Sequence, residues 1–311
     1  MAENNFSLQK TLTMLLDEKK YHSLRDILST MNPADIAAIF DDLDQACLPL
    51  LFRLLPKELA AETFVEMEPE AQELLIRGFS DSELKEVIDE LYVDDAVDIV
   101  EEMPANVVQR ILSQAEPDMR KQINEILRYP EDSAGSIMTT EYVSLRPNMT
   151  VEEAILRIRR TGIDKETIYT CYVTRGHKLI GLTSVKDLLL CEDDDATIES
   201  IMQEHVITVS TLDDKEQVAQ MFSKYNFLAL PVVDTEDRLV GIVTFDDAMD
   251  VMEDEATEDM EKMAAMLPSE HPYMRSTPIE IWKNRIPWLL LLMVSATLTG
   301  IVITRFENSL A

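Results

Sequence analysis

Carboxylate side chains are concentrated in one short stretch of the chain. Residues 246–261 contain nine aspartates or glutamates and neither lysine nor arginine. Like charges four residues apart destabilise a helix by roughly 0.2–0.5 kcal/mol per pair. A hard divalent cation reverses the sign of this repulsion, and Mg²⁺ takes oxygen ligands while keeping several waters. The stretch therefore predicts a surface that gathers Mg²⁺; a solvated acidic face without a ligand is the alternative.

The whole chain is acidic, with 28 lysines and arginines against 59 aspartates and glutamates, a net charge of −31. Nucleic acid is not expected as a partner, because binding phosphates requires cationic side chains. The alternative reading of this charge is solubility alone. Cys47, Cys171, Cys191 and the four histidines lack zinc-site spacing. No phosphate-binding glycine loop, G-x-S-x-G or H-E-x-x-H motif occurs, so no enzymatic activity is predicted.

The first part of the chain has the pattern of short repeated helices, which predicts an all-α superhelical domain over residues 1–130. DIAAIFDDL at 35–43 matches DAVDIVEEM at 95–103 at an offset of 60, and LAAETFVEM at 59–67 is a weaker third copy. Repeated hairpins stack because one hairpin cannot bury its own apolar face. Unrelated amphipathic helices are the alternative.

A sharper tandem repeat follows and predicts a pair of α/β modules at residues 136–198 and 199–252. Each copy has the order strand, helix, strand, strand, helix, and two such copies are expected to pack together. The matched segments are SIM at 136–138 and 200–202, TEYVSL at 140–145 and EHVITV at 204–209, and GLTSVKDLL at 181–189 and GIVTFDDAM at 241–249.

The acidic stretch belongs to a predicted linker helix at 246–275, whose apolar residues recur every three or four positions. This spacing places them on one stripe and the carboxylates on the remaining faces. Pro268 and Pro272 are expected to end or kink the helix. The stripe consists of Met249, Met252, Ala256, Met260, Met263 and Leu267.

An uncharged segment predicts one transmembrane helix at residues 284–305. Residues 286–304 contain no charged side chain, and this length approaches the thickness of a bilayer core. Trp282, Trp288, Lys283 and Arg285 lie near its start, which favours a cytosolic N-terminal side. The N-terminus has no signal-sequence pattern. We therefore expect a cell (inner) membrane protein with residues 1 to about 280 cytoplasmic; a buried helix of a soluble protein is the alternative.

The tandem repeat resembles a CBS-domain pair through its G-x-x-[ST]-x-x-D endings. Gly181, Ser184 and Asp187 fill this pattern in the first copy. The second copy has Gly241, Thr244 and Asp247. The resemblance implies a cleft that holds the ribose of an adenine nucleotide, with Asp187, Thr170 and Phe227 as the nucleotide contacts and ATP as the regulatory ligand.

The order of motifs along the chain resembles the MgtE magnesium channels. This resemblance implies a homodimeric cytosolic sensor, made of a helical domain and a CBS pair, joined to the membrane part by a plug helix. Magnesium bridging acidic residues between these parts would close the pore. The motifs are LFRLLP at 51–56, AAETF at 60–64, YPEDSAGSIMTTEYV at 129–143, KETIYTCYV at 165–173, LPVVD at 230–234, DRLVGIVTFDDAMDVMEDEATEDM at 237–260 and RIPWLLLL at 285–292.

The resemblance also implies a set of magnesium ligands. Where the family has a Tyr-Asp pair after the second CBS helix, this chain has Tyr225-Asn226, so a ligand is missing there. The family pore uses five membrane helices per subunit, so this sequence by itself is not expected to conduct Mg²⁺. The implied ligands are Asp247, Asp250, Glu255, Glu258, Asp259, Glu216, Asp214, Asp94, Asp95 and Asp98.

Three functions remain open from the sequence. The first is magnesium sensing within a magnesium transporter, with the homodimer contacting membrane lipid through residues 284–305. The second is an adenine-nucleotide-binding CBS module that controls a membrane partner. The third makes the N-terminal superhelix a scaffold for docking another protein.

Overall fold

The computed structural model describes residues 11–16, 18–41, 43, 45–267 and 278–310. These residues divide into two compact units. The first unit holds the chain up to residue 214 together with 227–244, and the second holds 215–226 and the chain from 245 onward.

The N-terminal region is entirely helical in its described part, as predicted. Helix α2 packs against α4, α4 against α6, and α6 against α8, so alternate helices stack along the chain. The helices are α1 (Tyr21–Leu28), α2 (Pro33–Asp41), α3 (Leu48–Phe52), α4 (Lys57–Val65), α5 (Pro69–Gly78), α6 (Asp81–Ile88), α7 (Val93–Glu102), α8 (Ala105–Gln114) and α9 (Pro117–Ile126).

The structure confirms the helical repeat, including its third copy. Helices α2, α4 and α7 bury residues at the same four positions of the repeat, because each presents the same stripe to the core. The buried sets are Ile36, Ala37, Ile39 and Phe40 in α2, Ala60, Ala61, Thr63 and Phe64 in α4, and Ala96, Val97, Ile99 and Val100 in α7.

Both copies of the tandem repeat form a three-stranded sheet in which the first strand runs parallel to the second and the third antiparallel to it. Helix α10 (Val151–Thr161), α11 (Val185–Leu190) and α12 (Ile198–Ile201) accompany the first sheet. The strands are β1 (Tyr142–Leu145), β2 (Thr167–Arg175), β3 (Lys178–Ser184), β4 (Val209–Ser210), β5 (Ala229–Val233) and β6 (Leu239–Thr244).

One predicted strand is much shorter than expected. The pattern at 204–209 predicts a full strand, whereas β4 comprises only Val209–Ser210. Gln203, immediately before the 204–209 segment, exchanges two backbone hydrogen bonds with Leu182 at 2.8 and 3.0 Å. The chain is therefore hydrogen-bonded to β3 of the first sheet just before it enters β4, the first strand of the second sheet.

The two sheets are connected by a reciprocal exchange of the segments after each SIM motif. Thr139 exchanges two backbone hydrogen bonds with Ile242 at 2.8 and 2.9 Å, just as Gln203 does with Leu182. An ideal Cβ on Gly241 would lie 2.7 Å from Met138 Sδ and 2.8 Å from the Thr139 carbonyl oxygen. The close approach of these two segments at the bridge thus requires glycine at position 241.

In its described residues, the second unit contains the helices α13 (Lys215–Tyr225), α14 (Phe245–Met263) and α15 (Pro278–Leu310). Within this unit α13 packs against α14, and the Phe222 and Phe245 rings lie 6.4 Å apart. The predicted linker helix ends at Met263 rather than 275; Pro268 and Pro272 lie outside the described residues.

Candidate divalent-cation site

The apolar stripe of the acidic helix is exposed in the structure. Met260 is 70% exposed and Met263 is 88% exposed, and the other members of the stripe are also exposed. The buried side chains of α14 are instead Ala248, Val251 and Glu261. Small side chains allow a helix to approach its neighbours closely, whereas the longer methionines remain outside. Glu255 and Glu258, which follow Val251 on the same face, are half-buried.

Glu255 on α14 is the centre of an acidic cluster within the second unit. Burial raises the pKa of its carboxyl, and the nearby carboxylates of Glu216 on α13 and Glu258 on α14 raise this pKa further. Lys215 and Lys262 act in the opposite direction. The net upward shift of the pKa indicates that burial, together with the two neighbouring carboxylates, disfavours negative charge at this position.

Lys262 partly compensates this cluster. Its Nζ atom lies 2.5 Å from Glu258 Oε1, which is a salt bridge between residues four apart on the helix. The hydrogen bond with Glu258 raises the pKa of Lys262. The acidic run is thus followed by a cation that is already paired with Glu258.

The remaining predicted ligands of α14 lie along the same helix. Asp247 is half-buried in its first turn, while Asp250 and Asp259 are exposed. Asp214 belongs to the first unit, where its backbone forms an isolated antiparallel β-bridge with Ser133. The structure therefore brings Glu216 together with Glu255 and Glu258, and places the other carboxylates at neighbouring positions of α14 or in the other unit.

A second acidic cluster lies in the first unit, around Tyr92. Burial raises the pKa of this phenol, and the carboxylates of Glu166, Glu141, Asp95 and Asp94 raise it further. Two of these carboxylates were predicted from the sequence, on α7; the third predicted residue of α7, Asp98, is exposed on that helix.

Glu141 and Glu166 were missed by the sequence reasoning. Glu141 accepts a hydrogen bond from the Val93 backbone N–H at 3.2 Å, which places its carboxylate at the N-terminus of α7. Burial raises the pKa of Glu141 in spite of this bond. No local pattern could reveal the contact between Glu141 and Val93, because these residues are 48 positions apart in the chain.

The carboxylates of these clusters suit Mg²⁺, but the described residues do not form a complete coordination site. Among the residues that the structure describes, no group of three or more His, Cys, Asp or Glu side chains has the arrangement of a metal site. Carboxylates are nevertheless the ligands of Mg²⁺, which keeps several waters and is commonly bound by one or two of them. Glu216, Glu255 and Glu258 carry carboxylates of this kind on adjacent helices.

Asn226 occupies the position at which the family resemblance implies an aspartate. Its φ is +55°, and its N–H donates to the Phe222 carbonyl at 2.8 Å at the end of α13. Asparagine is one of the few residues besides glycine that tolerates this left-handed conformation at the end of a helix. The side chain at 226 thus has a structural role as the helix terminator.

Two of the three predicted nucleotide contacts come together in the first unit. Thr170 on β2 is paired with Ser184 on β3. Ser184 Oγ donates to Asp187 Oδ2 at 2.6 Å, and the Asp187 N–H donates back to Ser184 Oγ at 3.0 Å. This reciprocal pair caps α11, so Asp187 has a structural role in addition to any ribose contact. Phe227 is half-buried in the segment before β5.

We expect the α13–α14 pair to become more stable as the pH falls from neutral to about 5. Because the folded state raises the pKa of Glu255, it binds protons more tightly than the unfolded state does. The stabilisation is therefore present at acidic pH and lost as the pH rises through the folded pKa. Far-UV circular dichroism melts of wild type and Glu255→Gln measure this dependence, which should be weaker in the variant; identical dependence in both would contradict the assignment.

One helix in the described part of the chain is long and apolar enough to cross a membrane. It covers Ile281–Phe306 with a mean hydropathy of 2.2, and none of it is buried. The predicted span at 284–305 lies inside this range. Pro287 stands within helix α15, near its N-terminal end.

Comparisons with known proteins agree with this arrangement. The family model of the MgtE intracellular N domain matches residues 31–132, and the CBS domain model matches 134–192 and 198–254. A crystal structure of the cytosolic domain of the Mg²⁺ channel MgtE in complex with ATP is 38% identical, with a TM-score of 0.74 over 78% of this chain and 99% of that one. The soluble part of a magnesium transporter is 33% identical, with a TM-score of 0.73 over 82% and 100% of the two chains.

Longer relatives cover nearly the entire chain. The magnesium transporter MgtE of Thermus thermophilus is 37% identical over 97% of this chain and 68% of its own length. The magnesium transporter MgtE of Bacillus subtilis is 31% identical over 96% of this chain and 66% of its own length. The chain thus spans about two thirds of the length of these relatives. With its helical N domain, CBS pair, acidic helix and apolar helix, the chain belongs to the MgtE family of magnesium transporters.

Proposed function

We propose that this chain is the magnesium-sensing part of a magnesium transporter and closes the pore when Mg²⁺ bridges its acidic surfaces. The observation that carries the proposal is the acidic cluster of α13 and α14, where Glu216 and Glu258 raise the pKa of Glu255. Carboxylates that repel one another in packed surroundings gain stability when a divalent cation lies between them.

The proposed switch acts through charge. When Mg²⁺ is scarce, repulsion within the acidic surfaces favours separation of the parts that carry them. When Mg²⁺ is plentiful, the bound ion favours the compact arrangement by its differential affinity for that state. The proposed ligands are Glu216, Glu255, Glu258, Asp259, Asp247 and Asp250 of the second unit and Asp214, Asp94, Asp95 and Asp98 of the first.

The membrane part of the proposal concerns helix α15. Its uncharged surface fits a lipid environment, and we place residues 284–305 in the cell (inner) membrane with the preceding chain in the cytoplasm. Transport requires a homodimer of such subunits in this proposal. Cross-linking of the chain in native membranes tests the dimer, and protease accessibility from each side tests the orientation.

Adenine-nucleotide regulation is the second candidate function. It is favoured by the pairing of Thr170 with Ser184, whose hydroxyl contacts Asp187, and by the similar MgtE cytosolic domain solved with ATP. Calorimetric titration of the detergent-solubilised chain with ATP and with Mg²⁺ in separate experiments distinguishes the two functions. Binding of ATP without any response to Mg²⁺ would favour the nucleotide module.

Millimolar Mg²⁺ is expected to slow the proteolysis of helix α14. Mg²⁺ removes the repulsion among its carboxylates and so lowers the population of the opened helix that a protease can cleave. Limited proteolysis of the full chain in detergent, followed by mass spectrometry of cuts within Phe245–Met263, measures the rate. Asp247→Asn combined with Asp250→Asn should weaken the protection.

Potassium chloride at the same ionic strength provides the control for simple charge screening. If potassium chloride protects the helix as well as Mg²⁺ does, no specific ion is bound and the proposed switch is wrong. An unchanged response to Mg²⁺ in the double variant would remove Asp247 and Asp250 from the site while leaving the switch itself in place.

A further inference from the structure

A basic cavity lies at one end of the first CBS sheet. It has a volume of about 550 Å³ and is lined by the end of β1, the turn between β2 and β3, and helix α10. Arg146, Arg157 and Arg175 line it, together with His177. Ligand pockets commonly measure about 300–1,000 Å³, so the space suits a small molecule.

The concentration of cations here runs against the charge of the chain, in which acidic residues outnumber basic ones by 59 to 28. Within the described ranges, no residue forms an ion pair with the guanidinium of Arg146 or Arg157. Arg175 Nη2 lies 2.7 Å from Glu199 Oε1. Arg146 and Arg157 therefore present positive charge to the cavity that an anion inside it would compensate.

Hydroxyl and amide groups complete the lining. Ser144 Oγ and Thr174 Oγ1 form a 3.0 Å hydrogen bond at the cavity, and Asn148 also lines it. Gly176 adopts a φ of +71° in the turn, and a Cβ at this position would meet nothing within 4 Å. The turn therefore leaves the cavity open while the lining offers further hydrogen-bond donors.

The second CBS sheet shows that the fold does not require these arginines. The pair Leu145 and Val173 in the first sheet corresponds to Val209 and Val232 in the second. Counting from these pairs, Arg146 corresponds to Ser210, and Arg175 corresponds to Asp234. The two sheets share a topology, yet the matching corner of the second carries a hydroxyl and a carboxylate.

We propose that this cavity binds a small phosphorylated anion. Guanidinium groups bind phosphate through paired, charge-assisted hydrogen bonds, and hydroxyl donors complement them. The site is separate from the nucleotide cleft, because Arg175 lies five residues beyond Thr170 on the same strand, about 17 Å away. The inference does not depend on magnesium sensing.

Calorimetric titration of the full chain in detergent with sodium pyrophosphate tests the proposal. The buffer contains no Mg²⁺, because pyrophosphate chelates this ion. Wild type is expected to bind, and Arg146→Gln combined with Arg157→Gln to weaken the affinity by about tenfold or more for each lost contact. Arg159→Gln combined with Arg160→Gln is the matched control, since both residues are exposed on α10 and do not line the cavity.

Circular dichroism verifies that both double variants remain folded. The proposal is overturned if wild type shows no binding, if both double variants lose affinity equally, or if citrate binds as tightly as pyrophosphate, since the site would then not select phosphate.

Discussion

Replacing Gly241 by alanine is expected to destabilise the CBS pair by about 2–3 kcal/mol. The added methyl group would lie 2.8 Å from the Thr139 carbonyl oxygen, which is backbone and cannot rotate away, and 2.7 Å from Met138 Sδ. Relief of this overlap requires the two hydrogen bonds between Thr139 and Ile242 to lengthen. The melting temperature should fall by roughly 5–10 °C.

Far-UV circular dichroism is the suitable measurement for this variant. Both tryptophans lie on α15, so tryptophan fluorescence would report on the apolar helix rather than on the CBS pair. Gly78→Ala is the control, because a Cβ there meets nothing within 4 Å at the end of a helix. A similar loss of stability in both variants would show that the close approach at Gly241 is not the cause.

Replacing Glu255 by glutamine is expected to slow the proteolysis of α14 in the absence of Mg²⁺ and to weaken the protection that Mg²⁺ adds. The amide has no charge to be repelled by Glu216 and Glu258, so the helix pair is more stable without the ion. The Mg²⁺ concentration for half-maximal protection should rise roughly tenfold, which corresponds to about 1.4 kcal/mol.

The matched control for this prediction is Glu253→Gln. Glu253 lies on the same helix, and its replacement removes the same charge. It is exposed, however, and it is not among the carboxylates that raise the pKa of Glu255. If the two variants have the same Mg²⁺ response, only the total charge of the helix matters, and Glu255 is not a ligand. If Glu255→Gln accelerates cleavage in Mg²⁺-free buffer, the repulsion inferred from its pKa is absent.

Local patterns in the sequence predicted the architecture well. The repeat that buries Ile36 and Ile99 at matching positions of α2 and α7 is visible from apolar spacing alone. The order of strands and helices in the CBS pair follows from alternation and motif spacing, apart from the short strand β4. These features can be predicted because each depends on residues that are close together in the chain.

The structure brings together only some of the predicted magnesium ligands, which remain a prediction. The carboxylates of α14 and Glu216 were expected from the acidic run and the family resemblance, and the structure places Glu255 within the influence of Glu216 and Glu258. Glu141 and Glu166 were missed, and Lys262 was not recognised as a partner of Glu258. The arginines of the basic cavity were not recognised either, since they come from three separate elements.

The sequence by itself determined the helices, the two repeats, the apolar span and the acidic charge, because periodicity and composition are local properties. Only the tertiary structure decided which face of α14 is buried, since the small side chains of Ala248 and Val251 pack closely where the methionine stripe remains exposed. It also decided the exchange between Thr139 and Ile242 and the contact of Glu141 with Val93. Such pairings join residues far apart in the chain, and their energies depend on distances that no local pattern encodes.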